Sequence, residues 1–345
     1  MTMSRPSGRV RLKAPIRVAA MGLFLFLGLT NLAFAAACGQ TRPSGQMEFL
    51  VNSGGVDRPV LVHLPPAYDG KTRLPVVFDF HGSNSNPAGQ FRRSGWDALA
   101  DKEGFVAIAL QGSLDGQFKG THAWNVPGVT EGGTLDDARY ISDAVKAVKD
   151  QLCIDATRIY ASGYSGGGRM LSQYICNGHQ DFAAAGFVMG LRAGYPVERD
   201  GVWQPDTASC KPGNPISIIA FSGMKDVTNP FAGGGKPYWQ YGGEAALKRW
   251  AELDGCKDGG RRLDEPQMIG LSFSGCTAGA RITSYLLREN THAWPARSTL
   301  FRTFDASGKV VSERDATGRM WDFFRNTHLP EPAPVTAGNP VERSG

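Results

Sequence analysis

Three stretches of the chain, Val76-Val77-Phe78, Val106-Ala107-Ile108-Ala109-Leu110 and Ile216-Ser217-Ile218-Ile219-Ala220-Phe221, run apolar with almost no polar interruption. A strand with one wet face alternates apolar and polar residues. One that is apolar throughout is buried on both faces, as in a parallel sheet covered by helices. The wider pattern agrees, predicting strands over 58–64, 75–80, 105–110, 158–162, 184–189, 215–221 and 281–287. Between or after them come helices over 93–103, 135–152, 167–177, 243–253 and 317–327. In the second helix Thr134 is the expected N-cap, Asp136 and Asp137 sit in the first turn, and Ile141, Val145 and Val148 share a face. Strands alternating with helices require right-handed crossovers and an α/β architecture, a mainly parallel sheet with helices on both faces. In such sheets ligands bind beyond the carboxyl ends of the strands.

The ends of the chain read differently. Arg5, Arg9, Arg11, Lys13 and Arg17 precede an apolar run from Val18 to Leu29 and the small-residue stretch Ala33-Phe34-Ala35-Ala36-Ala37. That order is an export signal, with cleavage expected after Ala35 or Ala37, so residues 1–37 are set aside from the fold. The formal net charge of +5 is largely that leader. The remainder is close to neutral, and no basic stripe points to nucleic acid. No later run is long enough for a stable membrane span. Residues 329–345 hold Pro330, Pro332, Pro334 and Pro340 with few large apolar side chains, and read as a disordered tail. A single catalytic domain over 38–328 is expected.

The 6 cysteines, Cys38, Cys153, Cys176, Cys210, Cys256 and Cys276, all follow the leader. An even number in an exported chain suits three disulfides, and export places the protein in an extracellular or periplasmic compartment. Cys38 directly after Ala-Ala-Ala also fits a lipid attachment site, but lipidation leaves an odd number of thiols. None of the pairs has metal-ligand spacing. Topology favours Cys153 with Cys176, since both lie at helix carboxyl ends on the edge opposite the site. Cys256 with Cys276 then closes a local loop and leaves Cys38 for Cys210.

Within Ile159-Tyr160-Ala161-Ser162-Gly163-Tyr164-Ser165-Gly166-Gly167-Gly168, a β-branched and aromatic run breaks into Gly-x-Ser-x-Gly and then a helical pattern. Glycines on both sides let the backbone turn sharply, exposing the hydroxyl of Ser165 as a potential nucleophile. A serine needs a base, and the base needs an acid to hold its tautomer. Of the six histidines, only His292 follows a strand directly and comes late enough for the order Ser, acid, His. Asp226, just past the apolar strand ending at Phe221, is the matching acid, preferred over Asp254 and Asp264. A tetrahedral oxyanion requires backbone donors. Gly166 N–H is one, and the loop Phe80-His81-Gly82-Ser83 offers Ser83 N–H as the other.

Read in order, Cys38-Gly39, Pro43-Ser44-Gly45, His81-Gly82, Asp136-Asp137, Cys153-Ile154-Asp155, Gly163-Tyr164-Ser165-Gly166-Gly167, Gly223-x-x-Asp226-x-x-x-Pro230 and His292-Ala293-Trp294-Pro295 resemble a known set. They are similar to the secreted carbohydrate-esterase type family that groups polyhydroxybutyrate depolymerases with feruloyl and acetylxylan esterases. The resemblance covers about residues 38–328. It implies an α/β-hydrolase fold with Ser165 as nucleophile, Asp226 as acid and His292 as base, and no metal or other cofactor. The residue after the serine is often larger in such families; Gly166 keeps the N–H but offers no side chain to shape a pocket. Trp124 and Trp294 are candidates to flank the substrate. The activity expected first is hydrolysis of feruloyl esters on plant-wall polysaccharide. Poly(3-hydroxybutyrate) or acetylxylan and other short-chain esters come second. The alternative of another class is a secreted carbohydrate-binding protein that keeps the fold without catalysis.

Overall fold

The computed structural model describes residues 38–329 except 131, 297, 298, 300, 305, 306 and 308; the leader and the tail from 330 lie outside the described residues. A large sheet is built from β1 (Gly45–Ser53), β2 (Val56–Leu64), β3 (Leu74–Phe80), β4 (Val106–Leu110), β7 (Ile154–Tyr164), β8 (Ala184–Val188), β11 (Ser217–Gly223), β12 (Asp258–Asp264), β13 (Met268–Ser274) and β14 (Ile282–Leu287). Small hairpins pair β5 (Leu114–Asp115) with β6 (His122–Ala123), β9 (Pro196–Arg199) with β10 (Val202–Pro205), and β15 (Phe301–Phe304) with β16 (Val310–Arg314). The helices are α1 (Pro87–Ser94), α2 (Trp96–Glu103), α3 (Asp137–Gln151), α4 (Gly166–Cys176), α5 (Gly243–Leu253) and α6 (Ala316–Phe324).

Spatial order in the sheet is β1-β2-β4-β3-β7-β8-β11-β14-β13-β12. From β4 to β14 every pairing is parallel, while the outer strands pair antiparallel. Of the parallel strands, β3, β4, β8 and β11 are almost continuously apolar and buried, since both their faces are covered. Val76, Phe78 and Phe80 of β3 pack in one core with Ile141 and Val145 of α3, Leu171 of α4 and Trp250 of α5. Val77, one residue out of phase, packs in the opposite core with Phe91 and Trp96 of the first two helices and Met320 of α6. The period of two along a strand sorts the side chains between these layers.

Several expectations are corrected. The helix expected over 93–103 is two helices, because Gly95 adopts φ +71° and both closes α1 and opens α2. Asn86, with Pro87 after it, caps α1. The N-cap of α3 is Asp136, whose Oδ1 accepts from Arg139 N–H at 3.0 Å, and not Thr134. Asp137 turns inward instead of serving the helix dipole. It is buried, pairs with Arg58 at 2.6 Å, and accepts from Asn125 N–H and the Ser113 hydroxyl. Three antiparallel strands of the large sheet, β1, β12 and β13, were not anticipated, most of their residues being exposed or half-buried.

The disulfides are Cys38–Cys153, Cys176–Cys210 and Cys256–Cys276. The local bridge is the one expected; the other two pairings are not. The chain after Cys38 lies beside the start of β7, where Gly39 N–H donates to Gly70 O and Cys153 N–H to the Tyr68 hydroxyl. The segment leading into β11 passes the end of α4, with Lys211 N–H on Cys176 O at 2.7 Å, so Cys210 is the sulfur within reach of Cys176. With its Sγ in a disulfide, Cys38 has no thiol to carry a lipid.

Candidate active site

Ser165, Asp226 and His292 stand just past the carboxyl ends of β7, β11 and β14. Ser165 has φ +50° and ψ −113°, a conformation outside the regions a non-glycine residue ordinarily occupies. Such a residue costs about 1–3 kcal/mol and persists only where its surroundings over-determine it. Here Ser165 N–H donates to Val188 O at the end of β8, and Ser165 O accepts from Arg169 N–H of α4. Gly163 makes the turn feasible, since a Cβ there would lie 2.8 Å from the backbone of Gly167.

His292 bridges the other two side chains. Its Nε2 is 2.8 Å from Ser165 Oγ and its Nδ1 is 2.8 Å from Asp226 Oδ2. The tautomer that serves both contacts carries its proton on Nδ1 and turns the Nε2 lone pair to the hydroxyl. Burial alone raises the Asp226 carboxyl. The hydrogen bonds from His292 and from Asn229 and Thr228 N–H, with the attraction of His292, outweigh it and hold the group below its ordinary range. Asp226 is therefore a carboxylate at neutral pH.

The loops carrying acid and base are locked together. Lys225 N–H donates to Asn290 O, and a Cβ on Gly223 would fall 2.2 Å from that same oxygen, so only glycine lets the two loops meet. Asn229 closes the acid turn and sends its Nδ2 to Met189 O, tying the turn to the end of β8. The Tyr164 hydroxyl donates to His292 O at 2.8 Å, with its ring 5.5 Å from the imidazole. Neither role was inferred from sequence. Asp226-x-x-Asn229 is a recognisable Asx-type turn, whereas the reach of Tyr164 across 128 residues leaves no local signal.

Ser83 lies on the loop after β3, and its nitrogen is 3.1 Å from where a Cβ on Gly166 would be. Gly166 opens α4, so its N–H has no partner within the helix. The Ser83 nitrogen thus lies beside the residue that follows the serine. Below that loop His81 is buried and pushed down to about 4 by desolvation; it accepts from Gly112 N–H and bonds Gly82 O, which makes it a neutral brace. Trp124 belongs to the same brace, and the expectation that it flanks a substrate is corrected. It is 2% exposed, donates to His81 O at 2.7 Å and packs tilted against the Phe80 ring. Trp294 is half-buried, 6.3 Å from the Tyr164 ring and held by the Thr317 hydroxyl, on the histidine side of the site.

A second polar cluster lies under the first. Asp79 is fully buried on β3 and accepts from the Ser94 and Ser162 hydroxyls and from Gln90 Nε2, while Trp96 donates to Ser162 Oγ. Desolvation pushes its carboxyl up to about 7 despite those three donors.

Residues 60–197 match the model of the family described as "Esterase PHB depolymerase". Over that stretch, about two fifths of its length, the chain is similar to the PHB-depolymerase esterases. Curated relatives extend the likeness over more of the chain. Feruloyl esterase B of Piromyces equi is 25% identical over 280 residues, 79% of this chain but 46% of its own length, so the chain spans about half of that relative. Probable feruloyl esterase C of Aspergillus clavatus is 24% identical over 261 residues, 72% of this chain and 84% of its own. Among solved structures, the acetyl xylan esterase from Aspergillus awamori superposes with a TM-score of 0.52 at 12% identity, covering 74% of this chain and 96% of that one. That likeness shows the α/β-hydrolase fold. Among the described residues no helix is long and apolar enough to cross a membrane, and no group of three or more His, Cys, Asp or Glu is placed to hold a metal ion.

Proposed function

We propose that the protein is a secreted serine esterase that cleaves carboxylic esters through an acyl-enzyme on Ser165. The observation that carries this is the unbroken line Ser165 Oγ, His292 Nε2, His292 Nδ1, Asp226 Oδ2, each contact at 2.8 Å. His292 takes the hydroxyl proton as Oγ attacks the ester carbonyl. The oxyanion is received by the N–H groups of Gly166 and Ser83, a role for which their closeness speaks. On collapse the C–O bond breaks, and the imidazolium returns the proton to the leaving alcohol. Water, deprotonated by the same imidazole, then releases the acid. Asp226 stays ionised throughout and stabilises the imidazolium.

Feruloyl esters of plant-wall polysaccharide are the substrates we favour, on the strength of the curated relatives' names. Hydroxybutyrate oligomers and acetylated xylan stand second, in line with the family description and the fold relative. Residues 38–328 form the catalytic unit in this reading, and 1–37 an export leader. Three disulfides suit an oxidising compartment.

The test is labelling with a fluorescent phosphonate together with hydrolysis of p-nitrophenyl butyrate, methyl ferulate, acetylated xylan and hydroxybutyrate trimer. The wild-type chain labels on Ser165, and S165A loses label and turnover, the latter by on the order of 10⁶. A folded S165A protein as active as wild type removes the reading; the ranking of the four esters decides the acyl group.

A further inference from the structure

Two arginines, Arg169 and Arg192, line one pocket beside α4, and among the described residues neither has a carboxylate partner. Arg169 is one turn along α4 from the serine, and its Nη2 is 3.5 Å from the position a Cβ on Gly166 would take. Arg192, shortly after β8, is 5% exposed. Its Nε donates to Leu191 O and its Nη1 to Tyr241 O, but Nη2 is buried with no hydrogen-bond partner; the Nε of Arg169 is in the same state. Aromatic faces cover both cations. Arg192 lies 3.7 Å from the Trp239 ring centre and 4.0 Å from that of Tyr241, and Arg169 lies 4.0 Å from that of Tyr238.

Stacking on a ring offsets part of the cost of burying a guanidinium, yet it leaves the in-plane N–H groups unsatisfied. The two like charges also act on each other. Burial, and the nearness of Arg169, pull Arg192 down to about 10. Both side chains line one narrow pocket with Gln173, Tyr195 and Tyr238. Its volume is about 10 Å³, room for one water or for one oxygen of a ligand reaching in from the mouth. A buried site with two cations, N–H donors left unpaired and no acid among the described residues is complementary to an anion.

We propose that Arg169 and Arg192 form an anion subsite beside the nucleophile, which selects esters carrying a carboxylate a few bonds from the scissile carbonyl. The proposal rests on the esterase reading above. The carboxylate belongs either to the acid or to the alcohol of the substrate, and the chemistry that recognises it is the same. On entry it accepts from the Arg192 Nη2 and from the Arg169 guanidinium, satisfying donors that otherwise stay unpaired.

The experiment compares kcat/KM within two matched pairs. p-Nitrophenyl hydrogen adipate against p-nitrophenyl hexanoate places the charge in the acid; 4-carboxyphenyl against 4-carbamoylphenyl hexanoate places it in the alcohol. The wild type favours the charged member of one pair, and R169Q lowers that ratio about tenfold or more, the worth of one charge-assisted hydrogen bond. R169K, which keeps the charge but not the fork, retains part of the preference. If R169Q depresses both members of each pair equally, or leaves both ratios alone, the subsite is refuted and the arginine is structural. Glu131 lies outside the described residues. A wild type without preference that acquires one in E131Q also overturns the proposal. Calorimetric titration with adipate needs no turnover. Weaker binding by R169Q supports the subsite even if every ester assay is silent, which would count against the esterase reading alone, and equal binding rejects it.

Discussion

At the scale of single residues, the site is held by side chains whose partners are far away in sequence. Ser165, Asp226 and His292 are legible as candidates because each carries a chemical requirement and each follows an apolar run. Tyr164 and Asn229 carry no such mark; their value comes from a carbonyl that folding brings to them. Asp79 is the clearest case of a residue whose behaviour depends on its surroundings. An aspartate within Val76-Val77-Phe78-Asp79-Phe80 looks misplaced, and in the fold it is the acceptor for two hydroxyls and an amide. Its carboxyl is raised from 3.8 to about 7 by burial. Between those two pH values the folded protein holds a proton that the unfolded chain has lost, so stability falls as pH rises through this window and levels off above about 7. Asparagine has no such titration. Urea unfolding of wild type and D79N at pH 5 and pH 8 is therefore expected to show the variant gaining on the wild type at the higher pH. Parallel pH profiles would mean that Asp79 keeps its ordinary titration.

At the scale of elements, helix and strand types were largely readable, and the misreadings have local physical causes. The run 93–103 has helical periodicity on both sides of Gly95, so the pattern continues through a residue that the backbone does not. The break matters because it aims Trp96 inward to Ser162 and leaves Ser94 facing Asp79. An alanine at 95 has to adopt φ +71° or drive the two helices toward one. G95A is expected to lose about 1–2 kcal/mol, the cost of a left-handed L-residue, read from chemical denaturation. An unchanged midpoint would show that the junction tolerates a continuous helix. The strands β12 and β13 escaped notice for a related reason. They lie at the outer side of β14, where one face and one edge are wet, so no continuous apolar run betrays them.

At the scale of the whole molecule, the sheet holds the catalytic candidates at one rim, and the disulfides tie down segments elsewhere. Cys38–Cys153 joins the first described residue to the start of β7 across 115 residues, enclosing β1 to β6 and α1 to α3. Closing so long a loop removes much freedom from the unfolded chain. Replacing both cysteines by alanine is expected to cost about 2–4 kcal/mol, seen as a lower melting temperature in scanning calorimetry. The Ser165–His292 contact lies at the other end of β7, so turnover measured well below the melting temperature should be retained. A variant that melts like the wild type but has lost turnover would place the bridge's role in the site.

What the sequence determined alone is whatever depends on neighbours along the chain. Continuous apolar runs made the sheet parallel and covered, and a glycine-flanked serine between strand and helix marked the elbow. The order Ser, Asp, His after successive strands pointed to one rim. The tertiary structure decided whatever depends on distance in space: the partners of Cys38 and Cys176, the burial of Trp124 as a brace, the inward turn of Asp137, and the burial of Arg169 and Arg192 side by side. The physical reason is that burial and contact sum over elements far apart in sequence, whereas propensity and periodicity sum only over a turn or two of chain.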